Sequence, residues 1–154
     1  MSKLIATFGL VGMIPFAPGT FGSLAALPFG WAFAVWTGPV GLLCAAIVVF
    51  FAGLWATGVE TAGAANHDPS EIVIDEVAGQ FLSLLPMAFG AVLTGSVGAT
   101  MVAGFILFRL FDILKPFPVS WADNMNSPMG VMLDDVLAGL LAALCLWGLT
   151  WIFP

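Results

Sequence analysis

The charges of this chain are confined to three short stretches. Residues 4–59, 77–108 and 136–154 contain no Asp, Glu, Lys or Arg, so every charged side chain falls in 1–3, 60–76 or 109–135. Uncharged runs of that length cannot supply the surface of a water-soluble domain, whereas about 20 apolar residues span a bilayer as a helix. Composition agrees, with 61% hydrophobic and 8% charged residues against about 45–50% and about 25% in soluble domains. The sequence therefore predicts an all-α fold: an integral membrane helical bundle of about four to five apolar helices, one domain over residues 1–154. Its 18 glycines and 10 prolines fit, since both are commoner in membrane helices and Gly lets helices pack closely.

Residues 1–23 read MSKLIATFGLVGMIPFAPGTFGS. Lys3 before an apolar run imitates a secretory signal peptide, but Gly9, Gly12, Pro15 and Pro18 interrupt the run, and we expect it to be kept as a broken or re-entrant segment. Such backbone is tolerated at membrane depth where it is buried in protein or lines a wet cavity. Pro18-Gly19-Thr20 is a turn signal, with Thr20 or Ser23 as caps of the next helix; the same N–H groups and hydroxyls could instead meet an anion. Leu24–Trp36 and Val40–Gly58 are apolar runs separated by Thr37-Gly38-Pro39. Val77–Ala91, Ala99–Phe111 and Val136–Phe153 follow, with an uncharged turn at Gly90–Gly98. An odd number of crossings around the two uncharged turns puts every charge on one side, which the three cations assign to the cytoplasm. Cys44 and Cys145 lie in apolar runs without partner spacing and read as small buried hydrophobes.

Nine acids against three bases, a net charge of −6, argue against nucleic acid, whose phosphates need a Lys/Arg footprint. The surplus carboxylates point to solvation or to a divalent cation with oxygen ligands. In the stretch ETAGAANHDPSEIVIDE at 60–76, Asp68-Pro69-Ser70-Glu71 has the form of a helix start. His67, the only histidine, is expected to face water or cap a helix. Asp75-Glu76 and Asp134-Asp135 form a near-repeat, IDEVAG and LDDVLAG, each doublet heading an apolar helix and followed by a Gly. Acids in a first turn gain from the helix dipole, yet adjacent carboxylates at the mouth of a membrane bundle repel, and a hard cation relieves that. Arg109, Asp112 and Lys115 fall at steps of three on one broad helix face, which Pro116 and Pro118 terminate. They read either as snorkelling cations with Asp112 as counterion or as a phosphate-binding pair, since Arg binds phosphate bidentately and Lys as a point charge.

Clustered carboxylates beside Arg and Lys, at the end of apolar helices, suit Mg2+-assisted hydrolysis of a lipid phosphate, with a carboxylate of either doublet as general base. One histidine excludes a two-histidine lipid phosphatase; no Asp-x-Asp pair, Cys-x5-Arg loop or Walker loop is present. Four blocks, PFAPGTFGS at 15–23, IVIDEVAGQ at 72–80, FRLFDILKPFPV at 108–119 and MLDDVLAG at 132–139, jointly resemble the phosphatidylglycerophosphatase A family. The resemblance implies a Mg2+-dependent, multi-pass enzyme of the bacterial inner (cytoplasmic) membrane, acting at its cytoplasmic face. It would remove the terminal phosphate of the phospholipid phosphatidylglycerophosphate to give phosphatidylglycerol. It carries metal ligands onto Asp75, Glu76, Asp112, Asp134 and Asp135, with Asp75, Glu76, Asp134 and Asp135 also as catalytic candidates. Phosphate contacts fall on Arg109, Lys115, Thr20 and Ser23. The chain departs from the family pattern in the Gly9–Pro15 lead and at Ser127-Pro128-Met129, and the resemblance does not say which carboxylate is ligand and which is base. The sequence leaves room for a homo-oligomer. The competing class is a small transporter or channel using the acidic doublets as an ion site, which would scatter them along a pore rather than gather them at one face.

Overall fold

The computed structural model describes residues 1–63 and 68–154; the expectation for His67 lies outside them. Among the described residues the structure is helical without strands. The helices are α1 (Ser2–Ala6), α2 (Pro18–Glu60), α3 (Ile74–Ser83), α4 (Leu85–Ala88), α5 (Val97–Leu114), α6 (Val119–Asp123) and α7 (Pro128–Ile152). Three of them, α2, α5 and α7, are long and apolar enough to cross a membrane.

The long α2 is a hairpin of two legs. At Gly38 the backbone takes φ 67° and ψ −167°, which a side chain would oppose, and Pro39 then begins the second leg with no N–H to satisfy. A straight helix would hold Gly22 and Gly53 roughly 46 Å apart. Instead, Gly22 packs on Val73 and Gly53 on Ile74, so the legs run back to back. The predicted Thr37-Gly38-Pro39 turn is thus present, and the two legs with α5, α7 and the α3–α4 segment make five apolar elements.

Side-chain size sorts inside from outside. The buried residues of α2 are mostly Gly, Ala, Ser and Thr, while Phe29, Trp36, Val48, Phe51 and Trp55 are exposed. In water that pattern would be unstable; in lipid, small residues let backbones approach and large apolar ones face the acyl chains. Exposed aromatics collect at both ends, with Phe16, Phe117 and Trp121 beside the charges and Trp36 and Trp151 at the uncharged end, the placement that interfaces favour. At that far end the Thr94 N–H donates to the Phe153 carbonyl at 2.9 Å, and Phe89 packs against Trp147 with the rings tilted. Cys44 and Cys145 are exposed on this apolar surface rather than buried, because the outward positions of these helices are themselves hydrophobic.

In contrast to α2, α3 is enclosed on nearly every side: of its ten residues, all but Glu76 are buried. It crosses α7 where Gly79 and Gly139 meet. A Cβ on Gly139 would stand 2.2 Å from the Gly79 carbonyl oxygen, and one on Gly79 would stand 2.5 Å from that of Asp135. The two glycines therefore let the backbones touch, and one helical turn before each of them stand Asp75 and Asp135.

Several helix starts differ from the sequence expectation. Asp68-Pro69-Ser70-Glu71 forms a turn, with the Ile72 N–H bonded to the Pro69 carbonyl, and α3 begins only at Ile74. The intervening Val73 N–H is taken by the Ala6 carbonyl at 2.9 Å, which ties the N-terminal segment to the site. α2 starts at Pro18 after a left-handed Ala17, so Thr20 and Ser23 lie inside the helix and do not cap it. α7 starts at Pro128, capped by Ser127 accepting from the Gly130 N–H, which sets Asp134-Asp135 in its second turn.

Candidate active site

The charged end of the bundle holds a cavity of about 340 Å3. α2 contributes Gly19 and Thr20; α3, Asp75 and Glu76; α5, Arg109, Asp112 and Ile113; and α7, Asp134 and Asp135. Lys115, just past α5 in a left-handed conformation, and Asp68 and Ser70 complete the polar lining. Six carboxylates thus meet two cations in one enclosure.

The doublets do not act as two equal pairs. Asp75, Glu76 and Asp135 each place a carboxylate oxygen within 4.8 Å of the others. Asp75 Oδ1 and Glu76 Oε2 are buried and have no hydrogen-bond partner. Burial and then the Asp135 carboxylate push Glu76 up to about 8, against the pull of Arg109; burial and then Glu76 raise Asp75 well above the carboxylate range. A cluster that strains to ionise, with oxygens left unpaired, matches the donor set of a hard divalent cation. Asp134 differs in its partners, since both of its oxygens are hydrogen-bonded. Its Oδ2 accepts from Lys115 Nζ at 2.8 Å and its Oδ1 from the Asp135 N–H at 2.9 Å. Lys115 also pairs with Asp123, and these bonds outweigh burial to hold its ammonium above its usual range.

Arg109 is held between carboxylates, paired with Asp112 and 3.8 Å from Glu76. Its Nη1 also donates to Ser23 Oγ at 3.5 Å, while the Ser23 hydroxyl donates to the Gly19 carbonyl at 2.8 Å. The residues expected from the sequence are therefore all at this end, with two distinctions. Thr20 lines the cavity, whereas Ser23 is fully buried behind Arg109. Asp112 and Asp134 sit on the cations, while the other three acids form the cluster.

Sequence reasoning missed Gly19, Ser70 and Asp123. A Cβ on Gly19 would stand 2.0 Å from Glu76 Oε1 and 3.4 Å from Arg109 Nη1, so its bare backbone makes the space that both side chains occupy. The PGT turn signal hid that role. Asp68, expected only as a cap, also lines a second cavity of about 30 Å3 with Asp75, Asp123, Ser127 and Asp134, enough for about one water.

The family model described as Phosphatidylglycerophosphatase A matches residues 4–150. A phosphatidylglycerophosphatase A of Escherichia coli is 35% identical over 137 residues, covering 86% of this chain and 73% of its own. One of Haemophilus influenzae is 35% identical over 141 residues, covering 91% and 83%. A Bacteroides thetaiotaomicron protein, provisionally named a phosphatidylinositol-3-phosphatase, is 36% identical over 160 residues, covering 97% and 93%. No solved structure matches the chain.

Proposed function

Because the chain belongs to the phosphatidylglycerophosphatase A family, we propose that it hydrolyses the terminal phosphate of phosphatidylglycerophosphate, with Mg2+, at the cytoplasmic face of a bacterial inner membrane. The products are phosphatidylglycerol and inorganic phosphate. The observation that carries this is the cluster of Asp75, Glu76 and Asp135, with two unpartnered buried oxygens, beside Arg109 and Lys115 in one cavity. Family membership supports a phosphatase; the cluster supports the metal; the three cations at the charged end support the side.

Asp75, Glu76 and Asp135 would hold the ion. Held there, Mg2+ would supply the positive charge that polarises phosphoryl oxygens and makes water a readier nucleophile. Arg109, once phosphate competes with Asp112 for its fork, takes two phosphoryl oxygens, and Lys115 adds a fixed positive charge. The start of α2 has no side-chain cap, so the Gly19 and Thr20 N–H groups and the Thr20 hydroxyl supply further donors. Ser23 acts through Arg109, which it orients. A doublet carboxylate accepts the proton of the attacking water. The water oxygen bonds to phosphorus, the ester P–O bond breaks, and the glycerol oxygen leaves and takes up a proton.

Transport fits less well. A pathway would spread ionisable groups through the depth of the bundle, whereas these gather at one end, and the described residues 77–108 and 136–154 carry no charge.

The test is phosphate release by detergent-purified protein from phosphatidylglycerophosphate, with Mg2+ and with chelator, beside Asp134→Ala and beside phosphatidylinositol 3-phosphate as substrate. Metal-dependent release from phosphatidylglycerophosphate, lowered in the variant, is expected. Faster release from the inositol lipid would transfer the reading to that substrate; no release from folded protein with any divalent cation would end it.

A further inference from the structure

A phosphatase acting on a membrane lipid has to admit the head group while the acyl chains stay in the bilayer. The cavity, about 340 Å3, is at the small end of the range for ligand sites and suits a phosphorylated glycerol head group, not a whole diacyl lipid. Its lining divides in two. Asp68, Ser70 and the buried Ile72 come from the connection between α2 and α3, while Ala17 and Pro18 at the entry to α2 and Ile113 on α5 form an outward-lying apolar wall. Ile113 lines the cavity and yet is 69% exposed. It shares its outward surface with Leu110, Leu114 and Phe117 on one side, and Phe16 stands exposed beside Ala17 on the other. Ile113 follows Arg109 by four residues, one turn along the same helix face. The apolar wall is thus adjacent to the cation proposed to hold the phosphate.

We propose that the opening between the segment entering α2 (Phe16–Pro18) and the end of α5 (Ile113) is a lateral portal. Through it the lipid's glycerol backbone reaches the cavity from the bilayer while its acyl chains lie outside against Ile113 and Phe16. The proposal rests on the phosphatase reading above and adds where the lipid part of the substrate binds. The chemistry follows from solvation. The ionised phosphate is favoured among Arg109 and Lys115, the chains remain in hydrocarbon, and the apolar wall spares them contact with water.

Photo-cross-linking from p-benzoylphenylalanine at position 113 tests this without turnover. Vesicles carry a small fraction of a non-hydrolysable phosphonate analogue of phosphatidylglycerophosphate, with Mg2+ present; the control position is Leu144, exposed on α7. The analogue is expected to cross-link at position 113 at least fivefold above its share of the lipid, and at position 144 in proportion to that share. Equal proportions at both positions would overturn the portal. In parallel, Phe16→Ala, which removes part of the apolar wall outside the cavity lining, should raise KM for the vesicle substrate about tenfold with half-saturating Mg2+ unchanged. An unchanged KM, or a fall in kcat together with a shift in Mg2+ dependence, would also overturn it. Wild-type protein that releases no phosphate at all would instead remove the phosphatase reading, so the two failures are distinguishable.

Discussion

The two acidic doublets look alike in sequence and are used differently. Asp75-Glu76 points both carboxylates into the cluster, and each has an oxygen with no partner. Asp134-Asp135 is divided: Asp135 joins the cluster, and Asp134 is bonded to Lys115. Neighbouring residues on a helix diverge by about 100°, so a doublet can keep both acids in one site only when the site wraps around the helix end. α3 begins at Ile74, and its doublet sits in the first turn, with both acids in the cavity lining. α7 begins six residues before Asp134, and its doublet is carried past the end, with one acid facing α3 and the other facing the loop after α5. The difference separates a proposed ligand set from a proposed holder of the phosphate-binding lysine.

The largest effect should come from the cluster itself. Asp75→Asn or Asp135→Asn removes a proposed ligand, and phosphate release should fall more than about 10^3-fold, beyond the roughly 10–100-fold typical of a partner outside the ligand set. Mn2+ binding followed by electron paramagnetic resonance should weaken in parallel. Retained Mn2+ affinity in both variants would mean that the ion sits elsewhere. Next is the crossing that brings the doublets together. Gly139→Ala puts a methyl 2.2 Å from the Gly79 carbonyl oxygen, so α3 and α7 must separate. A displacement near 1 Å can cost about 10^2-fold in rate, and overpacking costs about 1–3 kcal/mol. Both activity and Tm should drop; an unchanged Tm would show that the helices do not need this contact.

Asp134→Asn is the direct test of the asymmetry. It leaves the three-acid cluster intact but removes the charge that holds Lys115, so the expected loss is about 10–100-fold, expressed in KM for the lipid more than in Mg2+ dependence. A loss as deep as that of Asp135→Asn, with Mn2+ binding gone, would make the doublets equivalent after all.

How much of this was legible beforehand follows from which signals are local. The uncharged runs and the Thr37-Gly38-Pro39 turn are written in contiguous residues, and α2 folds back where they say. The repeat IDEVAG and LDDVLAG announced two related helices, but not that Gly79 and Gly139 are partners, because a helix crossing is a relation between distant segments. Helix starts were misjudged for the same reason. Asp68-Pro69-Ser70 carries the local chemistry of a cap, yet Val73 is bonded to the Ala6 carbonyl, and that tertiary bond holds the chain out of helix until Ile74. The polarity pattern could not show that Cys44 and Cys145 face outward, since in lipid the outside is as apolar as the core. Gly19 was hidden because a missing side chain matters only once Glu76 is placed against it.

That contact offers a subtler perturbation of the first doublet. Gly19→Ala would force the Glu76 carboxylate away from its present position while leaving every acid in place. Half-saturating Mg2+ should rise about tenfold, within the 10–100-fold range for supporting residues, with a smaller change in kcat. Shortening the acid should relieve the clash, so Gly19→Ala with Glu76→Asp is expected to bind Mg2+ more tightly than Gly19→Ala alone. If the double variant is worse than both singles, the methyl acts on the backbone of α2 rather than on Glu76.

The smallest effect should fall on Asp123, the other partner of Lys115. Its side chain is 41% exposed, against 8% for Asp134, so water and salt screen the pair that it makes, and exposed pairs are worth about 0–1 kcal/mol. Asp123→Asn should therefore change activity by less than about fivefold, and by less still at high salt. The comparison with Asp134→Asn at matched ionic strength decides how Lys115 is held. A buried carboxylate that alone fixes the ammonium predicts a large effect at 134 and a small one at 123. Equal effects would mean that the lysine needs both acids to reach the phosphate, and the division of the second doublet would then depend on the loop after α5 as much as on α7.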